Sequence, residues 1–224
     1  MTKSTQVRLV AEAGLIVVSI LLAFSIDAWW DDLGRGRDER EAYRALVQDF
    51  EAAATHLEEV RQVHDRVLGA SAALLDLTGP SAEAPPRDSL DVLLGSLGRI
   101  ANFAPPLGAL QSMLGSGELR LVKSTELRAS LASFPSQLAE MNRTQGYGAE
   151  QVFGQLLPFL DRSIPRETDT RFVRDPQSLL RSFEFENLVR GRRVNQERAL
   201  DAAERMATLI DDILRALHVE LSAA

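Results

Sequence analysis

Three histidines are the side chains of this chain best suited to bind a transition metal or to transfer protons. His56 and His64 are eight residues apart, about 80° around a helix, whereas two ligands on one helix favour a four-residue spacing. His218 is remote in sequence. The chain has no cysteine, which excludes disulfides, thiolate ligands and cysteine nucleophiles. The sequence therefore predicts no metal site, no cofactor and no catalytic residue.

Two carboxylate pairs and one glycine-rich turn offer little more for catalysis. Glu58-Glu59 and Asp211-Asp212 are adjacent residues, whose side chains diverge on a helix, so we expect them on solvated faces. The segment Gly115-Ser116-Gly117 lacks the Gly-Lys-Ser/Thr and the preceding strand of a phosphate-binding loop, and a helix C-cap is the better interpretation. We expect a non-enzymatic protein.

The densest basic cluster lies at Arg190, Arg192 and Arg193, flanked by glutamates. We expect a salt-bridged surface there, with an anionic partner or lipid headgroups as the alternative. The whole chain carries 25 Lys and Arg against 32 Asp and Glu, a formal net charge of −7. That balance excludes a dedicated nucleic-acid binder, because phosphate neutralisation needs a clustered basic surface.

The elements that would position any site begin with an apolar segment at residues 9–30. No charge interrupts residues 13–26, and about 20 residues at 1.5 Å each match the ~30 Å hydrocarbon core of a bilayer. Trp29 and Trp30 supply an aromatic belt at its end. We predict a transmembrane helix here. A cleaved signal peptide and a buried helix of a soluble core are the alternatives; Ala23-Phe24-Ser25 offers a small-x-small cleavage pattern.

Two acidic residues flank the apolar run. Glu12 and Asp27 lie about 22 Å apart along a helix, one toward each interface. We expect water-accessible interfacial positions for both, with an oligomer interface or a partner contact as the alternative. Lys3 and Arg8 precede the span, and a short basic tail normally stays in the cytoplasm, whereas a bare count of Lys and Arg favours the C-terminal domain inside.

Two stretches share a pattern with known sequences. Residues 12–29 have a Glu before the apolar run and an Ile-Asp-x-Trp that closes it. Residues 110–131 have a Leu, a Ser-Gly, a Leu-x-Leu-Val and then a Leu-Arg that opens a helix. In both, the chain resembles an uncharacterised bacterial family of single-span membrane proteins, apart from Phe24, where Leu is usual, and the tandem Trp30. The family has no known activity, so the resemblance implies only a bacterial inner-membrane location with a periplasmic helical domain.

The part of the chain after the span opens with a heptad stripe that runs through residues 43–75. Such a stripe must be buried against another surface. The long helix of a monomeric bundle is the preferred interpretation, and a homo-oligomeric stalk or a partner-binding surface is the alternative. The stripe consists of Tyr43, Phe50, Leu57, His64 and Ser71, and of Leu46, Ala53, Val60, Val67 and Leu74.

Capping residues, glycines and prolines divide the remaining chain into predicted helices, and no sustained alternation of apolar and polar residues indicates a strand. Asp88 or Ser89 should start a short helix to about residue 101, and a further short helix should end at residues 115–117. Ser124 or Thr125 should open a long helix to about residue 162. Pro135 should kink or interrupt that helix.

Two further segments indicate where helices bend, break or begin. The segment Gly146-Tyr147-Gly148 should likewise kink or interrupt the long helix. Asp175-Pro176 should cap and start a final helical region through Leu221.

The chain is therefore predicted to be all-α, with one N-terminal transmembrane helix followed by a helical bundle of long helices and short connecting helices. Its parts are an N-terminal tail at 1–8, the transmembrane helix at 9–30, a juxtamembrane linker at 31–37 and a helical domain at 38–224. The expected function is a membrane-anchored partner-binding or scaffolding module. The alternative is an extracytoplasmic sensor or small-ligand-binding bundle that acts through a partner protein.

Overall fold

The computed structural model describes the backbone of residues 3–165 and 176–223, and their side chains except those of 3–18, 27–29 and 31–36. Within these ranges the protein is all-α, as predicted, and contains no strand. A 3₁₀ turn (Glu118–Leu121) and a π-helical turn (Val152–Leu156) join longer elements. The α-helices are α1 (Lys3–Leu77), α2 (Arg87–Leu97), α3 (Gly108–Ser116), α4 (Thr125–Gln151), α5 (Leu157–Ser163), α6 (Pro176–Leu180) and α7 (Phe183–Ala223).

Helix α1 spans 75 residues without a break. It continues through residues 31–37, so the segment predicted as a juxtamembrane linker is helical. Among the described residues, no helix combines the length and apolar character that crossing a bilayer requires. Glu12, Asp27 and Trp29 belong to the predicted span, and their side chains lie outside the described residues.

The heptad stripe of α1 forms one side of the core, and all ten of its side chains are buried. It packs along α7, and the two helices run antiparallel, since His64 contacts Gln196 while Tyr43 lies near Glu220. Helix α7 presents a matching stripe with the same spacing of four and three residues. That stripe comprises Phe185, Val189, Arg192, Gln196, Ala199, Ala203, Met206, Ile210, Ile213 and Leu217.

Helix α4 packs against α7. Two apolar clusters lie along the α1–α7 pair, and α4 contributes to the larger one. The larger cluster lies around Phe50, Phe134 and Ile210. The smaller one lies around Leu74 and Phe185, at the opposite end of α7's stripe. Between the two clusters the core is polar, and this polar layer is the setting of the candidate site.

Several predicted helix boundaries are confirmed by their capping contacts. The Ser124 hydroxyl accepts the Leu127 N–H at 3.2 Å, so Ser124 is the N-cap of α4. Gly117 ends α3 with φ of 77°, the left-handed conformation that favours glycine. Asp49 of α1 supplies a cap that the sequence did not indicate: its carboxylate accepts the N–H groups of Ala109 and Leu110 at the start of α3.

A kink or an interruption of α4 was predicted at two places, and the interruption is wrong at both. Helix α4 continues through Pro135, which is exposed on the helix while Leu131 and Phe134 beside it are buried in the core. It also continues through Gly146 and Gly148, and tertiary packing therefore overrides the weak helix propensity of these residues.

The long helix ends close to the predicted position, since α5 ends at Ser163 after the π-helical turn. The final helical region is divided into α6 and α7, and α7 ends at Ala223. Asp175, the predicted cap, lies outside the described residues.

Candidate functional site

The arginine cluster of α7 is split between surface and core. Arg190 and Arg193 form the predicted surface ion pairs, with Glu186 at 2.6 Å and Glu197 at 2.9 Å. The prediction of a surface position is wrong for Arg192, which is only 1% exposed. The reason is its phase on the helix, because Arg192 occupies a position of the buried stripe and its two neighbours do not.

The Arg192 guanidinium binds backbone carbonyls from two other parts of the fold. Its Nε donates to the Leu97 carbonyl at 3.1 Å, its Nη1 donates to the Gly148 carbonyl at 3.2 Å, and its Nη2 donates to the Arg99 carbonyl. No carboxylate of the described residues pairs with it within 4.0 Å. Burial lowers the pKa of Arg192 to about 10, so the group is still a cation at neutral pH. Arg192 therefore fixes the end of α2 and the start of the following segment against α4 and α7.

Gly148 makes room for this cation on α4. A Cβ added at residue 148 would lie 2.9 Å from Arg192 Nη1, whereas one added at Gly146 would meet nothing within 4 Å. The two glycines that were predicted to interrupt α4 therefore differ in their surroundings. Only Gly148 is required by a close approach.

His64 lies at the centre of the polar layer, on α1. Its Nδ1 is 2.7 Å from Gln196 Oε1 of α7, and its Nε2 is 3.3 Å from Gln145 Nε2 of α4. Gln145 Oε1 in turn accepts the backbone N–H of Phe103 at 3.0 Å. Burial lowers the pKa of His64, so the neutral ring is favoured. Three helices and the segment after α2 therefore meet in one hydrogen-bonded chain.

An open groove lies beside the polar layer, between α4 and the segment after α2. Its volume is about 290 Å³, close to the lower end for small-molecule sites. The Asn142 Oδ1 atom is buried without a hydrogen-bond partner. A second void of only about 10 Å³ lies next to His64 and Arg192, sized for a single water. The groove is lined by Ile100, Ala101, Asn102, Asn142, Gln145, Gly146 and Ala149.

The other histidines and carboxylates considered in the sequence are not brought together. His56 packs its ring 5.6 Å from that of Phe103, and His218 is exposed on α7. Glu58 pairs with Arg61, and Asp212 pairs with Arg215, each on the helix surface as predicted. The described residues contain no group of three or more His, Asp or Glu that could hold a metal ion.

The polar layer holds three helices and the segment after α2 together through its hydrogen bonds. The ring of His64 contacts two amides, and amide groups neither take nor supply protons at neutral pH. A sequence signal for the layer existed in the stripe of α7, where Arg192 and Gln196 interrupt an otherwise apolar series opposite His64. Comparison with known protein families, with curated proteins and with solved structures yields no match for this chain.

Proposed function

We propose that this protein is a membrane-anchored, non-enzymatic helical module, in which α1 is both the anchor and a central helix of a partner-binding bundle. One observation supports the anchor most directly: the described part of α1 before the bundle exposes large apolar side chains on consecutive turns. Soluble monomers rarely expose such a contiguous apolar surface, and lipid is the environment that suits it. The exposed side chains are Ile20, Leu21, Leu22, Phe24, Ile26 and Trp30, each exposed by 49–67%.

The position of the bundle along α1 is consistent with this arrangement. Glu39 is the first buried residue described after Trp30, and it pairs with Lys123 at 2.8 Å. Glu39 follows Trp30 by nine positions along the helix, a rise of about 14 Å. With Trp30 at the headgroups, the bundle would begin just outside the bilayer, on the periplasmic side of a bacterial inner membrane by the resemblance of residues 12–29 and 110–131. A continuous helix would then couple the anchor to the core without a flexible joint.

Membrane integration tests the anchor directly. Full-length protein should fractionate with membranes and resist carbonate and high-salt extraction. Leu22→Arg should abolish integration, because a charge near mid-span costs about 2.5–3.5 kcal/mol, whereas Glu12→Leu should preserve it. Val219→Arg is the matched control, since Val219 is equally apolar and is exposed on α7. Wild-type protein in the soluble fraction, or a mature N-terminus at Ile26, would refute the anchor.

A second candidate function, small-ligand binding by the bundle, is favoured by the groove beside the polar layer. Asn142 lines the groove, and its Oδ1 is buried without a partner, so a rotation of the Asn142 amide toward the groove would let that oxygen accept a hydrogen bond from a ligand N–H or O–H group. Ile100, Ala101 and Ala149 would contact its apolar part. Saturable binding of small amides or alcohols, detected by NMR and lost on Ala149→Trp, would support this function. Binding that persists after the groove is filled would exclude it.

A further inference from the structure

We propose that the hydrogen-bonded chain from Gln196 through His64 and Gln145 to Phe103 is an acid-sensitive latch, which releases the segment after α2 when the His64 ring gains a proton. The latch belongs to the bundle alone and does not depend on the membrane anchor. The proposal rests on the direction of each hydrogen bond in the chain. The contacts of the His64 ring with Gln196 on one side and Gln145 on the other determine these directions.

The direction is set at Phe103, because a backbone N–H can only donate. Gln145 Oε1 accepts that N–H, so the amide nitrogen of Gln145 faces His64 Nε2. An amide nitrogen only donates, and Nε2 must therefore be the unprotonated, accepting nitrogen of the ring. The ring proton is then on Nδ1 and is donated to Gln196 Oε1. Every member of the chain is satisfied only while His64 is neutral.

A second proton on His64 makes the two contacts of Gln145 incompatible with each other. Nε2 would then carry a hydrogen that points at the hydrogens of Gln145 Nε2, a donor against a donor at 3.3 Å. Rotating the Gln145 amide to present its oxygen to the ring would instead turn its nitrogen toward the Phe103 N–H. One of the two contacts must be lost in either case. The Phe103 contact lies at the end of the chain, on a segment without regular structure.

The charges around the ring oppose the second proton on balance. Burial of the ring disfavours it most, and the hydrogen bond to Gln196 favours it. Arg192 of α7 disfavours it, and Asp65 on α1 favours it. Helix α4 faces the ring with Gln145, and the segment after α2 lines the void beside the ring with Ile100 and Ala101; none of these residues carries a charge. The native state favours the neutral ring, whose pKa lies below the ordinary value of 6.5. A state that exposes the ring to water binds the proton more readily, so the closed state weakens as the pH falls below that ordinary value.

Release would act on the groove as well as on the segment. Residues 100–102 form one wall of the groove and Gln145 forms part of the other. Arg192 holds the carbonyls of Leu97 and Arg99 and does not titrate in this range, so movement should be confined to residues after 99. The expected result of acidification is therefore a local opening of the groove while the α1–α7 core stays folded.

Hydrogen exchange at the Phe103 amide measures the latch in full-length protein. Between about pH 7.5 and about pH 5.0, after correction for intrinsic exchange, its protection should fall severalfold and at most about 30-fold, the limit for one proton bound with a pKa of 6.5. The amide of Leu46, in the α1–α7 core, should keep its protection. Equal loss at Leu46 would mean global unfolding and would overturn the proposal, as would unchanged protection at Phe103.

Two variants and one control assign the effect to His64. His64→Gln cannot titrate and should make the Phe103 protection independent of pH over this range, whatever its absolute stability. Gln145→Glu should reverse the sign, because a carboxylate accepts from both the Phe103 N–H and a protonated ring. His56→Gln, which removes the histidine packed on the Phe103 ring, should retain the wild-type dependence. Persistent acid sensitivity in His64→Gln, or its loss in His56→Gln, would overturn the latch.

Discussion

Replacing each of two neighbouring glycines of α4 by alanine tests how firmly Arg192 is held. Alanine is favoured over glycine inside a helix by about 1 kcal/mol. At Gly146 the added methyl meets nothing within 4 Å, so Gly146→Ala should stabilise the protein by about that amount. At Gly148 the methyl would lie 2.9 Å from Arg192 Nη1, and the guanidinium would have to move.

The cost of that movement follows from the contacts of Arg192. Each hydrogen bond from a charged donor contributes about 1.5–3 kcal/mol. If the bond to Gly148 is lost and one other bond is weakened, about 3–4 kcal/mol is lost, and helix propensity offsets about 1 kcal/mol. Gly148→Ala should therefore destabilise the protein by about 2–3 kcal/mol, and the two alanine variants should differ by about 3–4 kcal/mol.

Urea unfolding followed by far-UV circular dichroism of the full-length protein measures this difference. The penalty of Gly148→Ala should largely disappear in an Arg192→Met background, because the two changes then act on one contact. Equal stability of the two alanine variants would show that Arg192 moves without cost. A full penalty that persists without the guanidinium would show that the reasoning from Arg192 is wrong.

Three further predictions concern other contacts of the bundle. Asp49→Ala should cost about 1–2 kcal/mol in urea unfolding, because it leaves the N–H groups of Ala109 and Leu110 without their cap, while Asp49→Asn should cost less. Burial raises the pKa of Tyr43 to about 12 from 10.0. The unfolded state therefore loses the phenol proton first, and the stability of the protein should fall as the pH rises above 10. Tyr43→Phe should remove this contribution to the fall in melting temperature between about pH 9 and about pH 11. Leu46→Ala should cost about 2–5 kcal/mol with a melting temperature that is constant over a hundredfold range of protein concentration; melting that depends on concentration would instead favour the oligomeric stalk.

The helices were predictable because their signals are local and repeated. Five consecutive heptads on α1 specify one face of the helix, and all ten predicted residues are buried there. Ser124 and Gly117 mark helix ends through contacts within a few residues of themselves. Such signals depend on neighbours in sequence, and the chain alone was sufficient to read them.

The polar layer was not predictable because each of its members looks ordinary by itself. His64 was predicted as one member of the buried stripe without any indication of its partners, and Arg192 was grouped with two surface arginines by its place in the sequence. Both side chains are compatible with the core because of hydrogen-bond partners that are distant in sequence. The partners of His64 are 81 and 132 residues away. Those of Arg192 are 44, 93 and 95 residues away. Aligning the interrupted stripe of α7 with that of α1 would have pointed to the layer, but not to its hydrogen bonds.

The polar layer also determines how the two long helices are aligned along their length. The apolar parts of both stripes repeat every seven residues, so a displacement by one heptad would still bury Leu, Val and Ala side chains against one another. It would, however, place His64 opposite Ala203 or Val189 instead of Gln196, and it would move the Arg192 cation away from the carbonyls that it binds. Each unsatisfied buried polar group costs about 1–3 kcal/mol, and a charged one costs more. The polar layer therefore favours one alignment of α1 and α7 over alignments displaced by a heptad. The repeating hydrophobic residues on either side cannot make that distinction.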